Sequence, residues 1–109
     1  MSYGVLPIPP FDRQLKRLSK KYPSLKEEFF KLIESLEQSP EQGTHLGNKC
    51  FKIRLCVASK RKGKSGGARE ITNIVISDET VYLIVIYDKS EKDNLSEKEL
   101  DDLLKFVPE

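Results

Sequence analysis

The sequence predicts an α+β fold in which helices pack on one face of a mainly antiparallel, four-stranded sheet. Apolar residues recur with the helical period near both ends of the chain, whereas the middle alternates or runs apolar as strands do. At 109 residues the chain is long enough for one hydrophobic core but not for two. Residues 1–109 are therefore expected to form a single domain.

The first third of the chain predicts a short strand and a helical hairpin. Gly4 to Ile8 is a short apolar run that could form an edge strand, because two prolines follow it. A first helix should begin at Phe11 and end before Pro23. A second helix should begin at Ser24, which forms a capping-box pattern with Glu27. The turn between the helices contains Pro23 and is short, so the helices should form a hairpin. The apolar stripes of the two helices are Phe11, Leu15, Leu18, Tyr22 and Leu25, Phe29, Leu32, Ile33, Leu36.

The rest of the chain predicts three more strands and a last helix. Glu41 to Asn48 is polar and is expected to be a loop. The connection at Asp78-Glu79 is tight, so the last two strands should pair as a hairpin. Val81 to Ile86 is apolar on both faces, which indicates a strand in the centre of the sheet. Ser96 and Glu99 form a second capping box that begins a short C-terminal helix. The three strands are predicted at Cys50–Ala58, Ala68–Ser77 and Thr80–Tyr87.

Residues 49–69 carry eight basic residues and no acid, although the whole chain has a formal net charge of only +2. In the first half of this segment, Lys52 and Arg54 alternate with apolar residues and so share one face of a strand. The second half is a glycine-rich basic loop. A solvated surface usually mixes both signs of charge, so this one-sided composition favours binding to a polyanion.

More candidate residues converge on the face that carries Lys52 and Arg54. Arg69 opens the next strand, and antiparallel pairing should bring it back near Ala58. Tyr87 and Lys89 lie at the end of the third strand and could reach the same face. The resulting cluster contains cations and a phenol but no pair of carboxylates.

Several other kinds of site are disfavoured. Cys50 and Cys56 would lie roughly 20 Å apart on one strand, too far for a disulfide. The lone His45 lies in the polar loop and is expected to have a surface or capping role. No cluster of metal-ligand spacing occurs, so neither a metal nor another cofactor is expected. The N-terminus does not look like a signal peptide and no run could span a membrane, so we expect a cytoplasmic protein.

Gly63-Lys64-Ser65 is not a phosphate-binding P-loop. That motif needs a glycine five positions earlier, where Ala58 stands, and a helix after it, where a strand is predicted.

Four segments, taken together, resemble the RelE/HigB-type toxins of bacterial type II toxin–antitoxin pairs, with similarity from about Phe11 to Leu104. The resemblance implies the compact RelE-like fold and a ribosome-dependent endoribonuclease that cuts mRNA. It also implies an antitoxin partner that covers the active face. The segments are KRLSKKY at 16–22, FKIRL at 51–55, GKSGGAR at 63–69 and IYDKSE at 86–91.

By this resemblance the catalytic positions fall on Lys52, Arg54, Arg69, Tyr87 and Lys89. Arginine suits the phosphate, because its planar fork donates two hydrogen bonds and keeps its charge. Lys52 could act as the general base, and Lys89 could be the general acid or a phosphate contact. Tyr87 could stack on a nucleobase or assist proton transfer. The remaining basic residues are expected to bind RNA or the ribosome: Lys49, Lys60, Arg61, Lys62 and Lys64.

Glu70 departs from the family pattern, which usually has an apolar residue after the arginine. A carboxylate at this position could pair with Arg69 and attenuate activity. Alternation instead places Glu70 on the opposite face, where it would be a buried or edge charge.

Two other functions share the fold. A gyrase-inhibiting toxin of the ParE type would not need the basic cluster, and an inactive or weakened relative would bind RNA without cutting it. Cleavage of RNA on translating ribosomes would distinguish the endoribonuclease from both alternatives. Inhibition of DNA supercoiling would identify the ParE type.

Overall fold

The computed structural model describes residues 3–55, 57, 68–75, 78–89, 91 and 95–108. Three helices and a five-stranded sheet make up this part of the chain. In chain order the elements are β1 (Gly4–Pro7), α1 (Pro9–Lys21), α2 (Leu25–Gln38), β2 (Thr44–Gly47), β3 (Cys50–Leu55), β4 (Ala68–Val75), β5 (Thr80–Asp88) and α3 (Glu97–Leu104).

The strands lie in the order β1-β5-β4-β3-β2, and every neighbouring pair is antiparallel except β1 with β5. The predicted α+β class and the short edge strand at the N-terminus are confirmed. The predicted hairpin of β4 and β5 is also confirmed. β5 is an interior strand, but β4 occupies the centre that was predicted for it. The predicted ends at 56, 58 and 76–77 lie outside the described residues.

The four-stranded prediction missed β2, which lies in the expected polar loop at 41–48. Its side chains are mostly exposed, so it has no apolar pattern to reveal it. It forms because it pairs with β3, with Thr44 opposite Lys52. Asn48 and Lys49 both take positive φ in the turn between the two strands. Hydrophobic periodicity cannot predict a strand that forms because of its pairing with a neighbour and not because of its own side chains.

One of the two predicted capping boxes forms. At α3, the Glu99 amide donates to Ser96 Oγ at 3.1 Å, and the Ser96 amide donates to Glu99 Oε1 at 3.0 Å. At α2 the prediction is wrong. Ser24 has helical backbone angles instead of the extended ones an N-cap needs, and its hydroxyl donates to Glu28 Oε1 at 3.2 Å.

Helices lie on both faces of the sheet, so the prediction that they pack on one face holds for the hairpin of α1 and α2 but not for α3. The hairpin of α1 and α2 packs on the face that carries Ile53, Glu70 and Ile86, which are paired across three strands and buried. We call this the hairpin face. The residues before and within α3 lie against the other face, which carries Lys52 and Ile71. We call this the α3 face, and it holds the candidate site.

Candidate nucleic-acid interface

A row of three side chains crosses the α3 face. Arg54 on β3 lies directly opposite Arg69 on β4, and Arg69 lies directly opposite Tyr87 on β5. Residues directly opposite each other project from the same face with Cβ atoms about 5 Å apart. The structure thus brings these three candidate residues together, although Arg69 pairs with Arg54 and not with the neighbourhood of Ala58.

Lys52 and Lys89 lie at the margins of this row. Lys52 is two residues before Arg54 on the same face, opposite Ile71, and is half-buried. It lines a cavity of about 220 Å³ together with Ser96, Glu97 and Leu100. Lys89 follows β5 in a turn that the Glu91 amide closes by donating to the Asp88 carbonyl at 3.0 Å.

The three side chains of the row differ in exposure. Arg54 is exposed, whereas Arg69 is 9% exposed and Tyr87 is 5% exposed. Arg69 is therefore largely covered and does not stand free in solvent. Arg69 lies on the central strand with Arg54 on one side and Tyr87 on the other. Its Nη1 atom donates to the Ala68 carbonyl at 3.3 Å.

The charge of the row is not balanced within the described part of the chain. No carboxylate there forms an ion pair with Arg54 or Arg69. Like charges directly opposite each other on a sheet are destabilising, and a buried cation without an acid pays a desolvation cost. A bound anion would relieve both costs, and a phosphate oxygen matches the geometry of the guanidinium.

Glu70 does not supply that anion. Its carboxyl group projects from the hairpin face and is 0% exposed, and among the described residues neither of its oxygens has a hydrogen-bond partner. Burial raises the pKa of Glu70 to about 8, so the group is largely neutral near pH 7. The hypothesis that Glu70 pairs with Arg69 is therefore wrong, and the alternative of a buried acid on the opposite face is confirmed.

The other predicted nucleic-acid contacts are placed only in part. Lys49 is exposed in the turn between β2 and β3, at the end of β3 remote from Arg54. Lys60, Arg61, Lys62 and Lys64 lie outside the described residues. His45 belongs to β2 instead of a loop, and its ring lies 5.0 Å from that of Phe51.

Sequence reasoning missed a polar cluster where α1 meets the end of β5. The Tyr22 hydroxyl donates to Asp88 Oδ2 at 2.6 Å, and Lys21 Nζ lies 3.4 Å from the same oxygen. Lys21 and Arg17 also contact Glu91, at 2.9 and 3.0 Å. The sequence does show two acids on either side of Lys89 and basic residues on one side of α1. These partners are 66 to 74 residues apart in sequence, so their contact could not be inferred from spacing.

Within the described ranges, no three histidine, cysteine or acidic side chains group as metal ligands would. In the same part of the chain, no helix is long and apolar enough to cross a membrane.

The fold and the site define a small α+β protein with an unbalanced basic row on one sheet face. A family model described as the RelE toxin of the RelE/RelB toxin–antitoxin system matches residues 11–107. That match covers most of the chain, so the chain belongs to the RelE toxin family. Among curated proteins, none matches this chain.

Solved structures with the same fold come from Escherichia coli. A double mutant of the toxin RelE in the free state superposes with a TM-score of 0.64 at 19% identity, covering 99% of this chain and 100% of that one. The intact RelBE toxin–antitoxin complex gives 0.61 at 18% identity, covering 79% of this chain and 95% of that one. The isolated RelE toxin superposes with a TM-score of 0.58 at 18% identity, covering 97% of this chain and 100% of that one. At these identities the likeness shows the fold alone.

Proposed function

We propose that this protein is a ribosome-dependent endoribonuclease that cleaves mRNA and so inhibits translation. The observation that carries the proposal is the row of Arg54, Arg69 and Tyr87, whose two positive charges have no acid partner among the described residues. Such a row favours a phosphate ester as the ligand. Membership of the RelE toxin family supports the same substrate class.

The row can stabilise charge that develops during cleavage. In this reaction the 2′-oxygen of a ribose attacks the adjacent phosphorus, and the bond to the 5′-oxygen of the next nucleotide breaks. The phosphorane between these states carries more negative charge on its oxygens than the substrate does. Arg54 and Arg69 would donate hydrogen bonds to those oxygens, an interaction of the kind worth about 10² to 10³ in rate.

Two protons must also move. Lys52 is on the same face as Arg54 and would take the proton from the 2′-hydroxyl. Tyr87 or Lys89, at the end of β5, would protonate the leaving 5′-oxygen. Neither a histidine nor a carboxylate belongs to the row, so the free protein should be a poor nuclease. Orientation of the mRNA by the ribosome would supply what the row lacks.

We also propose that an antitoxin protein binds this chain and suppresses its activity. The intact E. coli RelBE complex is a toxin–antitoxin complex with the same fold in its toxin chain. The substrate then implies that the protein acts in the cytoplasm, where ribosomes translate mRNA.

The test compares RNA cleavage under three conditions. Purified protein is added to mRNA alone, to mRNA on translating ribosomes, and to ribosomes after preincubation with the product of the neighbouring reading frame. We expect cleavage only in the second condition. Inhibition of DNA supercoiling by gyrase, without RNA cleavage, would instead assign the ParE-type function.

A further inference from the structure

The end of helix α1, together with Tyr22 directly after it, contacts the last residue of β5 and the turn that follows at two points. At the first, the Asp88 carboxylate receives a hydrogen bond from the Tyr22 hydroxyl at 2.6 Å and lies 3.4 Å from Lys21 Nζ. At the second, Glu91 contacts Lys21 at 2.9 Å and Arg17 at 3.0 Å. Lys21 therefore touches both acids and links the two points.

These two points bracket a candidate catalytic lysine. Lys89 lies between Asp88 and Glu91, and Tyr87 immediately precedes Asp88. The backbone between the acids is closed by the bond from the Glu91 amide to the Asp88 carbonyl at 3.0 Å. The Asp88 side chain shares the hairpin face with Ile86, whereas Tyr87 projects from the α3 face. The contacts with α1 thus hold the turn from the hairpin face, on the side of the sheet opposite Tyr87.

We propose that Lys21 and Tyr22 are positioning residues, which hold the turn at 88–91 so that Tyr87 and Lys89 are presented to the RNA. This inference rests on the proposed function, because it assigns a task in that reaction. We name the five contacting side chains the α1 clamp: Arg17, Lys21, Tyr22, Asp88 and Glu91.

The two ends of the α1 clamp differ in strength. Asp88 is 1% exposed, and a short hydrogen bond from a hydroxyl to a buried carboxylate is among the stronger kinds. The ion pairs of Glu91 are exposed, and such pairs are individually weak. Arg17 and Lys21 nevertheless act together, since their hydrogen bonds lower the pKa of Glu91, Arg17 having the larger effect. Because Tyr22 and Lys21 both contact the buried Asp88, whereas Arg17 contacts the exposed Glu91, we expect Tyr22 and Lys21 to matter more than Arg17.

Catalytic groups tolerate little displacement, since a shift of about 1 Å can cost roughly 10² in rate. The first experiment measures cleavage on ribosomes for Tyr22→Phe and Lys21→Met, at a temperature where circular dichroism shows each variant to be folded. We expect kcat to fall about tenfold in each, with KM within about twofold, because the clamp orients reacting groups and does not bind the ribosome.

Two further variants separate position from charge. Lys21→Arg keeps a cation that can reach both acids, so it should retain most of the activity. Lys20→Met removes the same charge from the neighbouring exposed residue of α1 and should cleave like the parent. Equal loss in Lys20→Met and Lys21→Met would show a general electrostatic effect and overturn the proposal.

A double-mutant cycle tests whether the α1 clamp acts through the turn. Tyr22→Phe is combined with Lys89→Ala and, separately, with Tyr87→Phe. If the clamp positions these groups, Tyr22→Phe should cost clearly less in at least one of the two backgrounds than in the parent. Losses that add fully in both backgrounds would contradict the proposal.

Hydrogen exchange provides a readout that does not depend on activity. Amides in a peptide that spans 84–91 should exchange several-fold faster in Tyr22→Phe than in the parent, while peptides from α2 remain unchanged. Unchanged exchange at 84–91 would overturn the proposal whether or not the protein cleaves RNA. A parent that cleaves no RNA, with the exchange effect present, would refute the proposed function and the catalytic task together and leave a structural clamp.

Discussion

Arg69 and Glu70 are neighbours in sequence, but their side chains project from opposite faces of β4. Arg69 faces Arg54 and Tyr87, whereas Glu70 lies between Ile53 and Ile86 under the helical hairpin. The acid is therefore separated from the basic row by the sheet itself. Its effect should appear in the stability of the fold and not in the availability of Arg69.

Glu70 should make stability fall as pH rises. Its folded pKa, about 8, lies above the ordinary value of 4.5, so the fold favours the neutral acid. The stabilisation linked to protonation is complete below about pH 4.5 and is lost progressively up to about pH 8. Relative to Glu70→Gln, which does not titrate, the parent should lose on the order of 4 kcal/mol between about pH 5 and pH 8.

Urea unfolding of the parent and Glu70→Gln at both pH values measures this difference. Curves that shift in parallel would show that Glu70 does not titrate in this range. Growth arrest on induction should be the same for the two proteins near pH 7, because Glu70 does not contact the row. A clearly more toxic Glu70→Gln would restore the view that this acid attenuates the site.

Replacing Arg69 with methionine should separate function from folding. Arg69→Met keeps a long apolar stem but removes a buried charge that opposes Arg54 and has no acid partner among the described residues. Stability in urea should be unchanged or rise by up to about 1 kcal/mol. Ribosome-dependent cleavage should fall about 100-fold or more. A large loss of stability would instead assign Arg69 a structural role.

Gly43 should be harder to replace than Gly47. Its φ is +94°, and a Cβ atom there would collide with the backbone carbonyl of Lys52. Gly47 has the same φ, but no atom of another described residue lies within 4 Å of a Cβ built on it. Gly47→Ala should therefore cost about 1 to 2 kcal/mol from the backbone alone, and Gly43→Ala clearly more. Equal costs in urea unfolding would remove the steric argument.

The chemistry of the RNA ends should report the nucleophile. Attack by the 2′-oxygen leaves a 2′,3′-cyclic phosphate or, after opening, a 3′-phosphate on the upstream product. We expect these ends, and we expect cleavage to persist in excess chelator when polyamines keep the ribosomes intact. A 3′-hydroxyl end would indicate attack by water and would refute the mechanism.

Local patterns predicted much of the fold. Alternation from Phe51 to Leu55 located β3, and the helical period located α1 and α2. The capping pattern of Ser96 with Glu99 located the start of α3. These features are set by neighbours in sequence, so periodicity and spacing can show them. β2 was missed because its backbone pairing with β3, and not its own side chains, makes it a strand.

The sequence predicted which residues share the face of the site, but not how deeply they are buried or which residues they contact. Alternation and strand pairing put Arg54 and Arg69 on one face, since both rules depend on the backbone alone. The burial of Arg69 depends on tertiary packing around the central strand, which brings together residues distant in sequence. The contact between Tyr22 and Asp88 joins residues 66 positions apart, so it requires the packing of α1 on the sheet. Sequence spacing gives no access to such contacts.

Substitution of Arg54 is the sharpest test of whether the basic row cleaves mRNA on the ribosome. Arg54 is exposed, so Arg54→Ala should fold like the parent. The control Lys31→Ala removes the same charge from α2, where the side chain is 74% exposed. Single-turnover cleavage of ribosome-bound mRNA should slow about 100-fold or more in Arg54→Ala and remain unchanged in Lys31→Ala. Cleavage by Arg54→Ala at the parental rate would contradict the account.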